Sequence, residues 1–376
     1  MLSRHVFTRA GIALTALNVL VAGCSPSTST TPAPAATQAA KPASAAATQA
    51  PAAATQAPAA NPAATTDKPK MSIMVGGLNK HIYLTATLAK QLGLYDAEGV
   101  DVTLFDEPAG ASAETSMLSG EVQFAFGSYD HTIDLQGVKK SAVNVFTALI
   151  APGEAEMVGT KAADTLKSPA DFKDKNLGVT SIGSGTHLLT QFLSVKNGVP
   201  TDQIHPVAVG AGDTFIAAMQ QGKIDAGMTT EPTISRLIKS GAGKVLVDLR
   251  TAETTRAALG GDYPFTCFYG ETNWVNNNKP AVQKLVNALV KTHKWITSHS
   301  PEEITAMMPE DYYAGDKELY LTALKGEMGM YSPDGKMVKG GPEFILSVLQ
   351  QFDDNVKDKP IDLSKTYTSE FVDKAN

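Results

Sequence analysis

The chain holds only two cysteines, Cys24 and Cys267. That excludes a disulfide framework and a thiolate metal cluster. Its 7 histidines are never set at the H-x-x-x-H or H-E-x-x-H spacing of a zinc enzyme, and no metal or cofactor is expected. Arginine nearly vanishes beyond residue 70, leaving Arg236, Arg250 and Arg256. Bidentate grips on carboxylate, sulfonate or phosphate are therefore scarce, unless Arg250 or Arg256 turns inward. There is no basic excess, because 32 Lys and Arg face 38 Asp and Glu for a net charge of −6, which argues against nucleic-acid binding. In LGVTSIGSGTHLL, Gly178 and Gly183 have the spacing of a phosphate-binding loop, but Ser184 stands where that loop needs lysine. Ile182 occupies the position where a serine-hydrolase elbow needs glycine. No S-x-x-K site exists either, since His187 follows Ser184 at that spacing.

What is present begins with a leader. Arg4 and Arg9 precede an apolar run from Gly11 to Ala22, broken by Thr15 and Asn18. The run is short for a bilayer span and fits a signal-peptide core. It ends in Val21-Ala22-Gly23-Cys24, which resembles a bacterial lipobox. That resemblance implies cleavage before Cys24, lipidation of Cys24 and an extracytoplasmic protein anchored to the cell membrane. From residue 25 to about 70 the composition falls to Ala, Pro, Thr, Ser and Gln, with TQAP repeated at Thr48 and Thr55. Such a segment cannot offset chain entropy by burial, so a disordered, semi-stiff tether is expected.

The body then alternates strand and helix. Strands are expected at 72–75, 100–105, 122–126, 177–179, 206–209 and 245–249. Helices are expected at 82–92, 112–118, 186–196 and 213–221, with Asp213 as an N-cap and Gly93, Gly198 and Gly222 as stops. Val282, Leu285, Val286, Leu289, Val290 and Ile296 mark a long amphipathic helix. The alternation implies α/β architecture, with mainly parallel sheets flanked by helices. The stretch GEVQFAFGSYD from Gly120 can be laid over GKIDAGMTTEP from Gly222. Both read as a helix stop, a strand and a polar turn, which implies two similar lobes. Each would present its turns at the carboxyl ends of its strands, where open α/β sheets bind ligands.

LGLYDAEGVDV at Leu92, the Pro108-Ala109-Gly110 turn, Gly120 to Phe124, LKSPADFK at Leu166 and Gly183 to Thr186 together resemble the type II solute-binding proteins of ABC importers. The nearest likeness is to the nitrate/sulfonate/taurine-binding family, which also contains binders of thiamin pyrimidine precursors. The resemblance covers about residues 71–350. It implies a two-lobed type II periplasmic-binding-protein fold with a cleft between lobes. It also implies two crossings, near Ala155 to Val158 and near Pro264 to Tyr269. Lobe one would be 71–157 plus 266–376 and lobe two 158–265. The implied partners are a small-molecule ligand, a membrane ABC permease and a separate ATPase subunit, with the protein itself a monomer and not an enzyme. A pyrimidine synthase of the same fold depends on a cysteine-rich iron-binding motif that this chain lacks. A ligand-sensing lipoprotein remains the alternative.

By the family's logic, ligand contacts sit on the loops after strands. In lobe one the candidates are Asn79, Lys80, His81, Gly110, Ser112, Ser128, Tyr129 and Asp130. In lobe two they are Ser181, Ser184, Gly185, Thr186 and Glu231, with Thr230 beside it. Tyr263 and Phe265 precede the return crossing and are expected on the hinge side, while Tyr83 could pack on its lobe or face the cleft. Asn79, Ser112 and Asp213 have a plainer reading as helix caps. Tyr129 is the expected aromatic contact, and Pro232 is expected to hold Glu231 in an extended turn. Carboxylates and tyrosines in one cleft favour a small organic solute, aromatic or heterocyclic with N–H donors, over a bare inorganic anion.

Overall fold

The structure, a computed structural model, describes residues 68–375. The leader, Cys24 and nearly all of the tether lie outside the described residues. Two five-stranded sheets organise the body. The first has the order β2-β1-β3-β10-β4, built from Lys70–Val75 (β1), Asp101–Asp106 (β2), Phe124–Ser128 (β3), Ala142–Thr147 (β4) and Thr266–Glu271 (β10). The second has the order β7-β6-β8-β5-β9, built from Glu154–Gly159 (β5), Asn176–Val179 (β6), His205–Ala208 (β7), Ala226–Thr230 (β8) and Gly243–Leu249 (β9). The orders are the same once β10 and β5 are recognised as the strands that cross between sheets.

Each sheet is mainly parallel, with four strands in one direction and a single strand against them, which makes it mixed. β1, β2 and β3 pair in parallel, as do β6, β7 and β8. β10 runs antiparallel to β3 and β4, and β5 runs antiparallel to β8 and β9. The reason is connectivity, since a strand arriving from the other sheet has no crossover helix to turn it parallel. Two expectations shift accordingly. Residues 154–157 are strand in the second sheet, so the first crossing falls at 148–153. β3 is buried at all five positions instead of alternating, because both its faces are covered.

The two crossings bond to each other. Phe265 N–H donates to the Leu149 carbonyl at 3.0 Å, and Ala148 N–H donates to the Thr266 carbonyl at 2.8 Å. The long helix Lys279–Ser298 buries its predicted stripe against the helix Leu84–Gln91 of the first sheet. Asp213 is not a cap. Gly212 holds the cap position, Asp213 opens the helix Asp213–Gln221, and its carboxylate pairs with Arg236.

The segment laid out twice in the sequence is an architectural repeat. Phe124–Ser128 and Ala226–Thr230 are the third strands of their sheets, so Ser128 and Thr230 are equivalent positions. Next along the second sheet, Glu156 on β5 is fully buried, and Thr190 Oγ1 donates to its Oε2 at 3.0 Å. Burial pushes this carboxyl up to about 8, against the Thr190 hydrogen bond. The folded protein therefore holds a proton there that the unfolded chain releases above its ordinary range. The associated stability is full below about pH 4.5 and is lost as pH rises to about 8. Glu156→Gln keeps an acceptor for Thr190. It is expected to flatten the pH 5–8 dependence and to gain about 1 kcal/mol or more at pH 8. Urea unfolding of both proteins at four pH values checks this.

Candidate functional site: a cleft between the two sheets

The carboxyl ends of β1, β2 and β3 face those of β6, β7 and β8 across a narrow seam. Its centre is a cavity of about 10 Å³, lined from the first sheet by Lys80, Tyr83, Gly110, Ser128 and Phe265. From the second sheet come Glu154, Thr180, Ser184, Gly185, Thr186 and Thr230. That volume holds about one water. Wider compartments flank it. One of 190 Å³ is lined by Asn79, Lys80, Asp106 and Arg236 among others. One of 370 Å³ carries Glu114, His131, Asp134, His187, Asp353 and Asp354.

The first jaw is built on glycine turns. A Cβ on Gly76 would lie 2.6 Å from both Gly110 N and Tyr83 Oη, so only glycine lets the turn after β1 reach the helix Gly110–Leu118. Lys80 folds back over these turns and donates to the carbonyls of Gly76 at 2.6 Å and Pro108 at 2.8 Å. Burial lowers its pKa to about 8, opposed by Glu154 and then Asp106. Below the cavity Asp130 is fully buried and accepts from Ser128 Oγ and, at 2.9 Å, from Tyr263 Oη.

The second jaw is GVTSIGSGTHLL. Gly183 takes the left-handed conformation at φ 82° and Gly185 starts the helix Gly185–Lys196. The hydroxyls bond one another: Thr180 Oγ1 lies 2.9 Å from Thr186 Oγ1, and Ser184 Oγ donates to the Ser181 carbonyl at 2.7 Å. His187 Nδ1 accepts from Gly183 N–H at 3.1 Å, and burial lowers its pKa to about 4, so it braces the turn as a neutral ring. The jaws touch at Gly185. A Cβ there would sit 2.3 Å from Phe265 Cζ and 3.0 Å from Ser128 Oγ.

Of the residues singled out in the sequence, Lys80, Tyr83, Gly110, Ser128, Ser184, Gly185, Thr186, Thr230 and Phe265 converge on the central cavity, and Asn79 lines the 190 Å³ flank. The others stand behind. His81 is buried, with Nδ1 3.0 Å from Glu327 Oε2. Burial lowers the histidine pKa to about 3 and raises the glutamic acid, so this is a bond between neutral groups. Ser112 lies inside its helix, which begins at Gly110 after an Ala109 cap. Tyr129 is fully buried and lines none of the three compartments. Its hydroxyl bonds Thr366 Oγ1 and its ring packs edge-on against Tyr367. Glu231 is fully buried and saturated by Ser235 and by Arg250 Nη1 at 3.1 Å. Tyr263 positions Asp130, and Ser181 lines none of the three compartments. Arg250 and Arg256 line none of the three compartments: Arg250 bridges Asp248 and the buried Glu231, and Arg256 pairs with Asp262.

Sequence reasoning missed Glu154 and Thr180. Glu154 begins an antiparallel strand opposite Thr230, so it reaches the cleft at the amino end of β5, not on a loop after a strand. Among the described residues no group of three or more His, Cys, Asp or Glu is arranged to hold a metal.

The family model described as NMT1/THI5 like matches residues 81–304, more than half of the chain. The chain belongs to this family. A solved protein of Bordetella bronchiseptica RB50 is 32% identical, with 82% of this chain covered, 98% of that one and a TM-score of 0.79. The alkanesulfonate-binding protein SsuA of Xanthomonas axonopodis pv. citri, bound to MOPS, is similar at 17% identity, covering 80% and 98% with a TM-score of 0.61. The periplasmic nitrate-binding protein NrtA of Synechocystis PCC 6803 shares 13% identity, covering 82% and 86% with a TM-score of 0.62. The common fold is the two-lobed α/β fold of type II periplasmic binding proteins.

Proposed function

We propose that this protein is the extracytoplasmic substrate-binding component of an ABC importer, held at the membrane through a lipidated Cys24 and the tether behind it. It captures a small organic solute between lobe one, the first sheet with its helices, and lobe two, the second sheet. It then presents the closed form to a permease, and a separate subunit hydrolyses ATP. One observation supports this reading above the others: two equivalent sets of strand-end turns meet face to face and touch at Gly185. A cavity of about 10 Å³ is far below the several hundred Å³ of an ordinary ligand pocket. Solute entry therefore requires the jaws to part, with the paired crossings at 148–153 and 260–265 as the hinge.

The site has the character of a binder. Ser184 Oγ is engaged by Ser181, Thr180 and Thr186 and has no adjacent base. Cys267 is buried, and burial followed by Asp130 holds its thiol well above the ordinary range. A thermal-shift screen of nitrate, alkanesulfonates, taurine, aromatic acids, pyrimidines and flavins tests the reading. A solute selective for the native cleft raises Tm with its concentration. A flat response across the whole panel contradicts the proposal. For any hit, Tyr129→Phe should change affinity by less than about twofold while lowering Tm, because a lost buried hydrogen bond is a stability effect. Weaker binding by this variant would return Tyr129 to the cleft.

A further inference from the structure

Glu154 is unusual even in this polar cleft. It is 2% exposed, lines the central cavity, and its Oε2 is buried without a hydrogen-bond partner. Thr230, opposite it in the β5–β8 register, also lines the cavity, and its Oγ1 is likewise buried and unpartnered. Buried polar atoms are rarely left unsatisfied, because each costs its desolvation without return. Two such atoms on one cavity between hinged lobes mark a place where something else supplies the partners. The equivalent strand of the first sheet puts Thr266 opposite Ser128, so the second lobe carries a carboxyl where the first carries a hydroxyl.

Resting on the binding reading above, we infer that Glu154 is the specificity-determining residue of the cleft. It selects solutes that donate an N–H, as an ammonium, amide or amino-heterocycle, over bare anions. Several charges in the seam agree. Among the described residues the one cation on the central cavity is Lys80, and its ammonium already serves two carbonyls. Asp130 lies directly beneath, held by Ser128 and Tyr263. The 370 Å³ flank adds Glu114, Asp134, Asp353 and Asp354. A bare anion would meet these acidic side chains, while Lys80 is committed to two carbonyls and Arg236 of the 190 Å³ flank is paired with Asp213. A nitrogen donor finds an acceptor in Glu154 whether its carboxyl is ionised or neutral, because the neutral acid keeps one carbonyl oxygen. Burial and Asp130 push that carboxyl well above the usual range while Lys80 pulls it back.

The test uses isosteric pairs on the full-length protein. These are taurine against 1-propanesulfonate and nicotinamide against 3-acetylpyridine, in which a nitrogen group is exchanged for methyl, with sodium nitrate as the bare anion. Isothermal titration should show the nitrogen member of a binding pair tighter by about 20-fold or more, since a site built for a donor rejects the analogue lacking it. In Glu154→Met the preference should fall below about threefold. Should that variant fail to fold, Glu154→Gln keeps the shape, and the ammonium member alone should lose its advantage. Equal binding of both members, tighter binding of nitrate, an undiminished preference in Glu154→Met, or an undiminished taurine preference in Glu154→Gln overturns the inference and leaves the binding reading standing. A lone bridging water at Glu154 would show as that undiminished preference. If no probe here or in the wider panel binds, the binding reading itself falls.

Discussion

Replacing Gly185 by alanine is expected to weaken solute binding about 50-fold while leaving the fold intact. Alanine is favoured over glycine within a helix, so the helix Gly185–Lys196 itself should gain slightly. The cost falls entirely on closure. The new methyl would lie 2.3 Å from Phe265 Cζ and 3.0 Å from Ser128 Oγ. Phe265 is 2% exposed and wedged beside Tyr263, so its ring has no free space to swing into. The jaws must then stop short, and contacts that bridge both lobes are lost together. Gly185→Val should be worse. Titration with the best hit of the screen reads the loss directly, alongside far-UV circular dichroism to show that the fold persists. Unchanged affinity in both variants would mean that the solute binds without the jaws meeting.

The largest stability effect is expected at Asp130. Its side chain is fully buried and accepts from Ser128 Oγ and Tyr263 Oη, tying the floor of the cleft to the return crossing. Hydrogen bonds to a carboxylate are worth about 1.5–3 kcal/mol each, and Asp130→Ala leaves both hydroxyls without their acceptor. The variant should lose about 3–4 kcal/mol, or roughly 6–12 °C in Tm for a body of this size. Asp130→Asn, which retains one acceptor oxygen, should fall between. If Asp130→Ala melts within about 2 °C of the wild type, this network is not organising the hinge side. Tyr263→Phe, which removes only one of the two donors, should show a smaller loss of the same kind.

Much of the fold was legible because it is written locally. Helices ended at Gly93, Gly198 and Gly222 within a residue of expectation, since an αL glycine is a stop that needs no tertiary partner. The echo between Gly120 and Gly222 foretold the equivalent strands β3 and β8. What failed was nonlocal. Tyr129 looks like a cleft residue from its neighbours. Its orientation is set by Thr366 and Tyr367 near the end of the chain and by the Phe265 carbonyl, which accepts from its N–H at 2.9 Å. Glu231 looked free because its partner Arg250 lies on the segment after β9. Glu154 was hidden by its strand direction. The rule that ligands meet strand-end loops finds the carboxyl ends of parallel strands and overlooks the amino end of a crossing strand. Its signal was a carboxylate opening the buried run Glu154 to Gly159 straight after Gly153, in a stretch read only as a connection.

The missing lysine of GVTSIGSGTHLL thus has a structural sense. The loop shapes a glycine-backed jaw in which the hydroxyls of Thr180, Ser184 and Thr186 bond one another, and the amine and the carboxyl on the central cavity are Lys80 of the first lobe and Glu154 of the second. The central claim is that a solute is held where these jaws meet. A crystal structure of the protein with its tightest-binding panel member tests it most directly. The account predicts solute density between the Ser184–Thr186 turn and Ser128, in contact with Lys80 and Glu154, with Gly185 drawn up to it. Density confined to the outer surface of either lobe, with the central cavity unchanged, would contradict it.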